Sequence, residues 1–131
     1  MNTFAKRAKN RILLVDDDPL IIRMYQTKLV HDGYEVDGAA NGEEALACVL
    51  RRRPDLILLD VMMPKMNGVE TLKALQGDAK TRGIPVIILT NLGDRPEDVE
   101  KAKKLGALDY LVKSEVSLHD LAARVKSALG A

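Results

Sequence analysis

Short aliphatic runs alternate with helix-patterned segments along almost the whole chain. Arg11-Ile-Leu-Leu-Val15 is the first run and ends in three aspartates, Asp16 to Asp18. Asp18-Pro19 then opens a helix, since Asp is a good N-cap and Pro suits the first helical position. That helix runs to about Asp32 and stops at Gly33. Tyr34 to Ala39 contains an alternating stretch and reads as a second strand. Asn41 followed by Glu44 looks like a capping box, and Ala45, Leu46, Val49 and Leu50 keep helical spacing until Pro54. Leu56-Ile-Leu-Leu59 is continuously apolar and ends in Asp60. After a Met-Met-Pro-Lys-Met-Asn-Gly loop, a helix is expected around Val69 to Gln76. Pro85-Val-Ile-Ile-Leu89 ends in Thr90, and Asp94-Arg-Pro-Glu97 opens a helix that closes at Gly106. Asp109-Tyr-Leu-Val112 ends in Lys113, and Ser117 opens a last helix with Leu118, Leu121, Ala122, Val125, Ala128 and Leu129 on one face.

Runs one, three and four lack alternation, as expected of strands covered by helices on both sides. Five strand–helix units with short loops imply a parallel sheet with right-handed crossovers. The fold class is therefore α/β, a three-layer α/β/α sandwich. Its 131 residues suit one domain with one core. A short basic extension, residues 1–9, precedes a domain over 10–131. Met1 reads as a natural start, with excision from a longer protein as the alternative.

Composition narrows the function. Twenty basic against nineteen acidic residues leave a formal charge of +1, which argues against a dedicated nucleic-acid binder. Cys48, the single cysteine, cannot form an internal disulfide. Neither a signal peptide nor a run of membrane-spanning length is present in the pattern, so a cytoplasmic protein without membrane contact is expected. Arg51-Arg52-Arg53 falls at a helix end, where cations complement the dipole.

The chemistry stands at the strand ends. In an open α/β sheet ligands bind beyond the carboxyl ends of the strands. Here those ends carry Asp16 and Asp17, Asp60, Thr90 and Lys113. Taken singly, each is a common cap or turn residue; the set is the signal. Three converging carboxylates would raise one another's pKa unless a cation sat among them. All-oxygen ligands without His or Cys favour Mg²⁺, with Mn²⁺ as the alternative. One carboxylate is then left as a nucleophile toward phosphorus, as in aspartyl-phosphate chemistry, with Lys113 and Thr90 to meet the phosphoryl oxygens.

From about Asn10 to Leu129 the chain resembles the receiver domain of two-component response regulators, of the single-domain chemotaxis-regulator kind. The resemblance rests on Ile-Leu-Leu-Val-Asp16-Asp17-Asp18-Pro, Leu-Ile-Leu-Leu-Asp60-Val-Met-Met-Pro64-Lys-Met-Asn-Gly68, Val-Ile-Ile-Leu-Thr90 and Gly106-Ala-Leu-Asp-Tyr110-Leu-Val-Lys113. It implies a flavodoxin-like fold with strand order 2-1-3-4-5. Asp60 would be the phosphoacceptor. Asp17 would bind Mg²⁺ directly and Asp16 through water, with Asp60 and the Met62 carbonyl completing the protein ligands. Thr90 and Lys113 would contact the phosphoryl group, and Tyr110 would be the aromatic switch. Two departures stand out: Ser114 where the family has a proline after the lysine, and Asn91 where it has a small residue. A cis bond before a non-proline costs about 3–4 kcal/mol, so Lys113–Ser114 is either strained or trans. Apolar Met62 and Leu92 flank the pocket beside Asn91 and cannot orient a water, so slow self-dephosphorylation is expected.

The implied partners are a sensor histidine kinase or His phosphotransfer protein upstream and a protein target on the helix 4–strand 5–helix 5 face. The resemblance also allows a homodimer on phosphorylation. Beyond its own phosphorylation and dephosphorylation no enzymatic activity is implied. Helix 4 pairs Glu97 with Lys101 and Glu100 with Lys104 at i,i+4 spacing, and has few apolar anchors, so it should be weakly held. A phosphatase of the haloacid-dehalogenase type would place its Asp-x-Asp motif on the first strand, unlike this chain. A flavin module would need a phosphate loop after strand 1. A receiver-like scaffold that binds partners without phosphorylation is the remaining alternative.

Overall fold

The computed structural model describes residues 10–130; the basic stretch 1–9 lies outside the described residues. Ten elements alternate: β1 (Arg11–Val15), α1 (Pro19–His31), β2 (Glu35–Ala39), α2 (Gly42–Arg51), β3 (Leu56–Asp60), α3 (Gly68–Gln76), β4 (Val86–Thr90), α4 (Pro96–Lys104), β5 (Asp109–Val112) and α5 (Leu118–Ala128). The five strands form one parallel sheet in the order β2-β1-β3-β4-β5, as the pattern and the resemblance implied. No helix among the described residues is long and apolar enough to cross a membrane.

Side chains alternate across a strand, and here both faces of the sheet are covered. Ile12, Leu14, Leu56, Leu58, Ile87, Leu89 and Leu111 pack against Tyr25 and Leu29 of α1 and Leu121 and Val125 of α5. Leu13, Val15, Ile57, Leu59, Val86 and Ile88 pack on the other face against α2, α3 and Ala102 of α4. The same parity carries on past the strand ends. Asp16, Asp60 and Lys113 follow Leu14, Leu58 and Leu111 by two residues, so they belong to the α1–α5 face. Thr90 follows Ile88 and belongs to the α4 face.

The helix ends are fixed largely by the caps the sequence suggests. Asp18 accepts a hydrogen bond from the Leu20 N–H at 2.9 Å, and Ser117 from the Asp120 N–H at 3.0 Å. Gly33 takes the left-handed φ of +100° that ends α1. At α2 the reciprocal bond is shifted by one residue: Asn41 accepts from the Glu44 N–H, but Glu44 accepts from the Ala40 N–H.

Helix α4 departs further. Arg95 holds its N-cap position and supplies no side-chain bond, while Asp94 accepts from the Asn91 N–H at 2.8 Å and closes the preceding loop instead. The expected pairs Glu97/Lys101 and Glu100/Lys104 are not the ones formed. Glu97 meets Arg95 and Glu100 meets Lys103, both at 3.3 Å. Glu97 turns back to the N-cap residue, Glu100 takes the i,i+3 neighbour that is as near as the i,i+4 one, and such pairs at the surface are worth little.

Candidate functional site at the carboxyl ends of the strands

β1 and β3 are neighbours, so Asp16 and Asp60 emerge side by side on one face of the sheet. Both are fully buried, whereas Asp17, one residue on, is exposed. Carboxylate oxygens of Asp16, Asp17 and Asp60 lie within 4.8 Å of one another. Asp16 is well satisfied: Oδ1 accepts from the Asp18 N–H at 2.9 Å and Oδ2 from the Lys113 ammonium at 2.7 Å.

Asp60 is not. Lys113 Nζ stands 3.4 Å from Asp60 Oδ2, an ion-pair contact without hydrogen-bond geometry, and neither oxygen of Asp60 has a hydrogen-bond partner among the described residues. Burial, followed by the negative charge of Asp16, pushes the Asp60 carboxyl up to about 7. Lys113 opposes that rise, and Asp17 adds to it. For Lys113 burial alone would favour the neutral amine, but its bond to Asp16 and the two nearby carboxylates raise its pKa and keep it charged. Two buried, unpartnered carboxylate oxygens beside two further carboxylates form an all-oxygen donor set suited to a hard divalent cation.

The loop after β3 is shaped by close approach. A Cβ on Gly68 would lie 2.2 Å from the Asp60 carbonyl oxygen and 2.7 Å from Val61 Cα, so only glycine fits there. Its N–H donates to the Val61 carbonyl at 2.8 Å, and Lys65 takes a φ of +60° to complete the turn. A full capping box then fixes the start of α3: Asn67 accepts from the Glu70 N–H, and Glu70 from the Asn67 N–H. The pattern Asn-x-x-Glu at 67–70 is the sequence signal for this cap.

Thr90 is buried beside this cluster, and its hydroxyl donates to the Leu111 carbonyl at 3.3 Å. Tyr110 is outside the pocket. Its ring is 43% exposed and carries the Lys103 ammonium of α4 3.9 Å from its centroid. Met62 and Leu92 are exposed on the two loops above the carboxylates, and Asn91 is exposed between Thr90 and Leu92. The Lys113–Ser114 bond is trans, as no cis peptide occurs among the described residues. The Glu115 and Val116 N–H groups both donate to the Val112 carbonyl, so the loop after Lys113 turns without a proline.

A further buried group, outside the set the sequence points to, is Tyr25 of α1, only 3% exposed, with a hydroxyl that has no hydrogen-bond partner among the described residues.

A sequence model described as the response regulator receiver domain matches residues 12–126. The chain belongs to that family. This receiver domain is similar to the "Probable transcriptional regulator ycf27" of Cyanophora paradoxa, at 45% identity over 121 residues, covering 92% of this chain and 48% of the relative. The chain thus spans about half the length of that relative. Among solved structures, it is similar to the chemotaxis protein CheY4 of Vibrio cholerae, with 35% identity and a TM-score of 0.83 over 92% of this receiver domain and 99% of that chain. A CheY-like receiver domain protein of Methanospirillum hungatei matches with 32% identity and a TM-score of 0.86, covering 94% and 95%.

Proposed function

We propose that this receiver domain accepts a phosphoryl group on Asp60 from a sensor histidine kinase or His phosphotransfer protein, in a Mg²⁺-dependent reaction, and thereby switches a protein-binding face. The observation that carries the reading is the state of Asp60: a buried carboxylate with both oxygens unpartnered, held up to about 7 by burial and by Asp16, and 3.4 Å from an ammonium. A structural aspartate would be satisfied by donors; this one is left free to form a bond.

In the reaction an Asp60 carboxylate oxygen attacks phosphorus. The P–O bond forms as the P–N bond to the donor imidazole breaks, and the imidazole leaves with the electron pair. Asp17 directly, Asp16 through water, Asp60 and the Met62 carbonyl would hold the ion. When bound, Mg²⁺ (or Mn²⁺) offsets the clustered negative charge that otherwise favours protonated Asp60. Lys113 keeps its charge and meets the phosphoryl oxygens from the β5 side.

Thr90 supplies the switch. Its hydroxyl would exchange the Leu111 carbonyl for a phosphoryl oxygen, which frees the strand end on which Tyr110 sits. Tyr110 would then leave Lys103 and turn inward, altering the α4–β5–α5 face read by a downstream protein or a second copy of the chain. Exposed Met62, Asn91 and Leu92 flank the pocket, and none of the apolar pair activates water, so the phosphoryl group is long-lived. The domain catalyses only its own phosphorylation and dephosphorylation, contacts no nucleic acid itself, and works in the cytoplasm away from the membrane.

The test is intact mass after incubation with Mg²⁺ and acetyl phosphate, beside Asp60→Asn. One added phosphoryl group, absent in the variant and without Mg²⁺, is the expected result. No adduct, even with a histidine kinase present, overturns the reading and favours a scaffold that binds partners regardless of phosphate.

A further inference from the structure

The Tyr25 hydroxyl has no hydrogen-bond partner among the described residues, and its ring packs on the face of the sheet to which Asp16, Asp60 and Lys113 belong. Tyr25 packs in the cluster that contains Leu14, Leu58 and Leu111. Asp16, Asp60 and Lys113 are the next residues of those same three rows. α1 starts at the site, where Asp18 caps it next to Asp16 and Asp17. Side chains on a helix lean toward its N-terminus, so a phenol on the buried face of α1 reaches up toward the carboxyl ends of the strands. Its surroundings agree. Burial raises the phenol pKa, while the Lys113 charge acts to lower it and the Asp16 charge to raise it further. A buried hydroxyl without a partner costs the resting protein stability, and phenylalanine would fill the same space without that cost.

The bond that holds the resting site together is the one phosphorylation disturbs. Asp16, fully buried, depends on Lys113 for the proton at Oδ2. A phosphoryl group on Asp60 brings three acceptor oxygens and nearly two negative charges to within reach of that ammonium. As Lys113 turns to them, Asp16 Oδ2 loses its ammonium donor, and Tyr25, on the α1 face of the same core, is a buried donor without a partner among the described residues.

We infer that Tyr25 is a positioning residue of the phosphoryl-accepting site, whose hydroxyl donates to Asp16 when Lys113 engages the phosphoryl group on Asp60. This rests on the reading of Asp60 as the phosphoacceptor. Tyr25 holds Asp16 in place during the exchange and never touches phosphorus.

The experiment compares the whole chain with Tyr25→Phe. Thermal midpoints are taken without phosphodonor, and the phosphorylated fraction is followed by intact mass in Mg²⁺ and acetyl phosphate. The resting variant is expected to melt no lower than the parent, while its phosphorylated-to-free ratio falls about tenfold, the effect of removing one donor from a buried carboxylate. A ratio within twofold of the parent overturns the inference and leaves Asp60 as acceptor. A resting midpoint lowered along with the ratio also overturns it, since that is the mark of a packing residue. A parent chain that takes up no phosphoryl group overturns the functional reading and the inference together.

Discussion

α3 and α4 are both nine-residue helices beside the same site, yet they are held very differently. α3 begins in a complete capping box and buries Gly68, Val69, Thr71, Leu72 and Leu75, with its first residue pressed against the backbone of Asp60. α4 has no side-chain cap and buries only Ala102. Around it stand ion pairs in solvent and the Lys103–Tyr110 stack, with Leu105 at the C-cap packed partly buried against the core. One helix is built to keep Asp60 still; the other is cheap to displace. On the proposed reading, in which Asp60 accepts a phosphoryl group and a nearby face reports it, the site draws on one wall of each kind.

The strongest way to break the rigid wall is Gly68→Ala. Its methyl would meet the Asp60 carbonyl at 2.2 Å, and the backbone shift should cost about 3 kcal/mol, seen as a lower urea midpoint together with loss of phosphoryl uptake.

Between the two walls, Asp60 itself should report through pH. Its pKa in the fold, about 7, lies above its ordinary value of 3.8, so between those values the folded state holds a proton the unfolded chain has released. Stability of the metal-free protein should therefore fall as pH rises from about 4 to about 7 and level off beyond. Thermal midpoints at pH 5 and pH 8 check this. Asp60→Asn should flatten the slope, and Mg²⁺ should raise the midpoint more at pH 8 than at pH 5.

Asn67→Ala removes the capping box alone and should cost about 1 kcal/mol. Hydrogen exchange of the first turn of α3 should quicken with it, toward the rates of α4. The smallest effect is expected from giving α4 the cap it lacks. Arg95→Ser should add about 0.5 kcal/mol, slow exchange in the first turn of α4, and narrow the difference between the helices. If α4 already exchanges as slowly as α3 in the parent chain, the contrast between them is wrong.

The same contrast explains what could be read in advance. Elements closed by one strong local rule were legible: Asp18-Pro19, Gly33 and Ser117 act through their own backbone neighbourhood, so spacing alone finds them. The strand ends were legible as a set because a parallel sheet gathers residues at the carboxyl edge regardless of packing detail. The partners on α4 were not, because exposed charges three and four apart compete on equal terms, and Glu100 chose Lys103 over Lys104. The Lys113–Ser114 bond was left open between strained and trans, since nothing local forces a choice without proline. Nothing in the local sequence marks Tyr25, because a buried hydroxyl without a partner is a property of the packed core and not of spacing.

The parity of the strands has a consequence for how a change at the site can spread. Asp16, Asp60 and Lys113 sit on the side packed by α1 and α5, while Thr90 looks to the side of α4. The sheet is thus a partition with a single doorway. On the proposed reading, a change at Asp60 on one face reaches α4 on the other through the end of β4, where Thr90 stands, whereas α5 shares the face of the carboxylates and can respond without crossing the sheet.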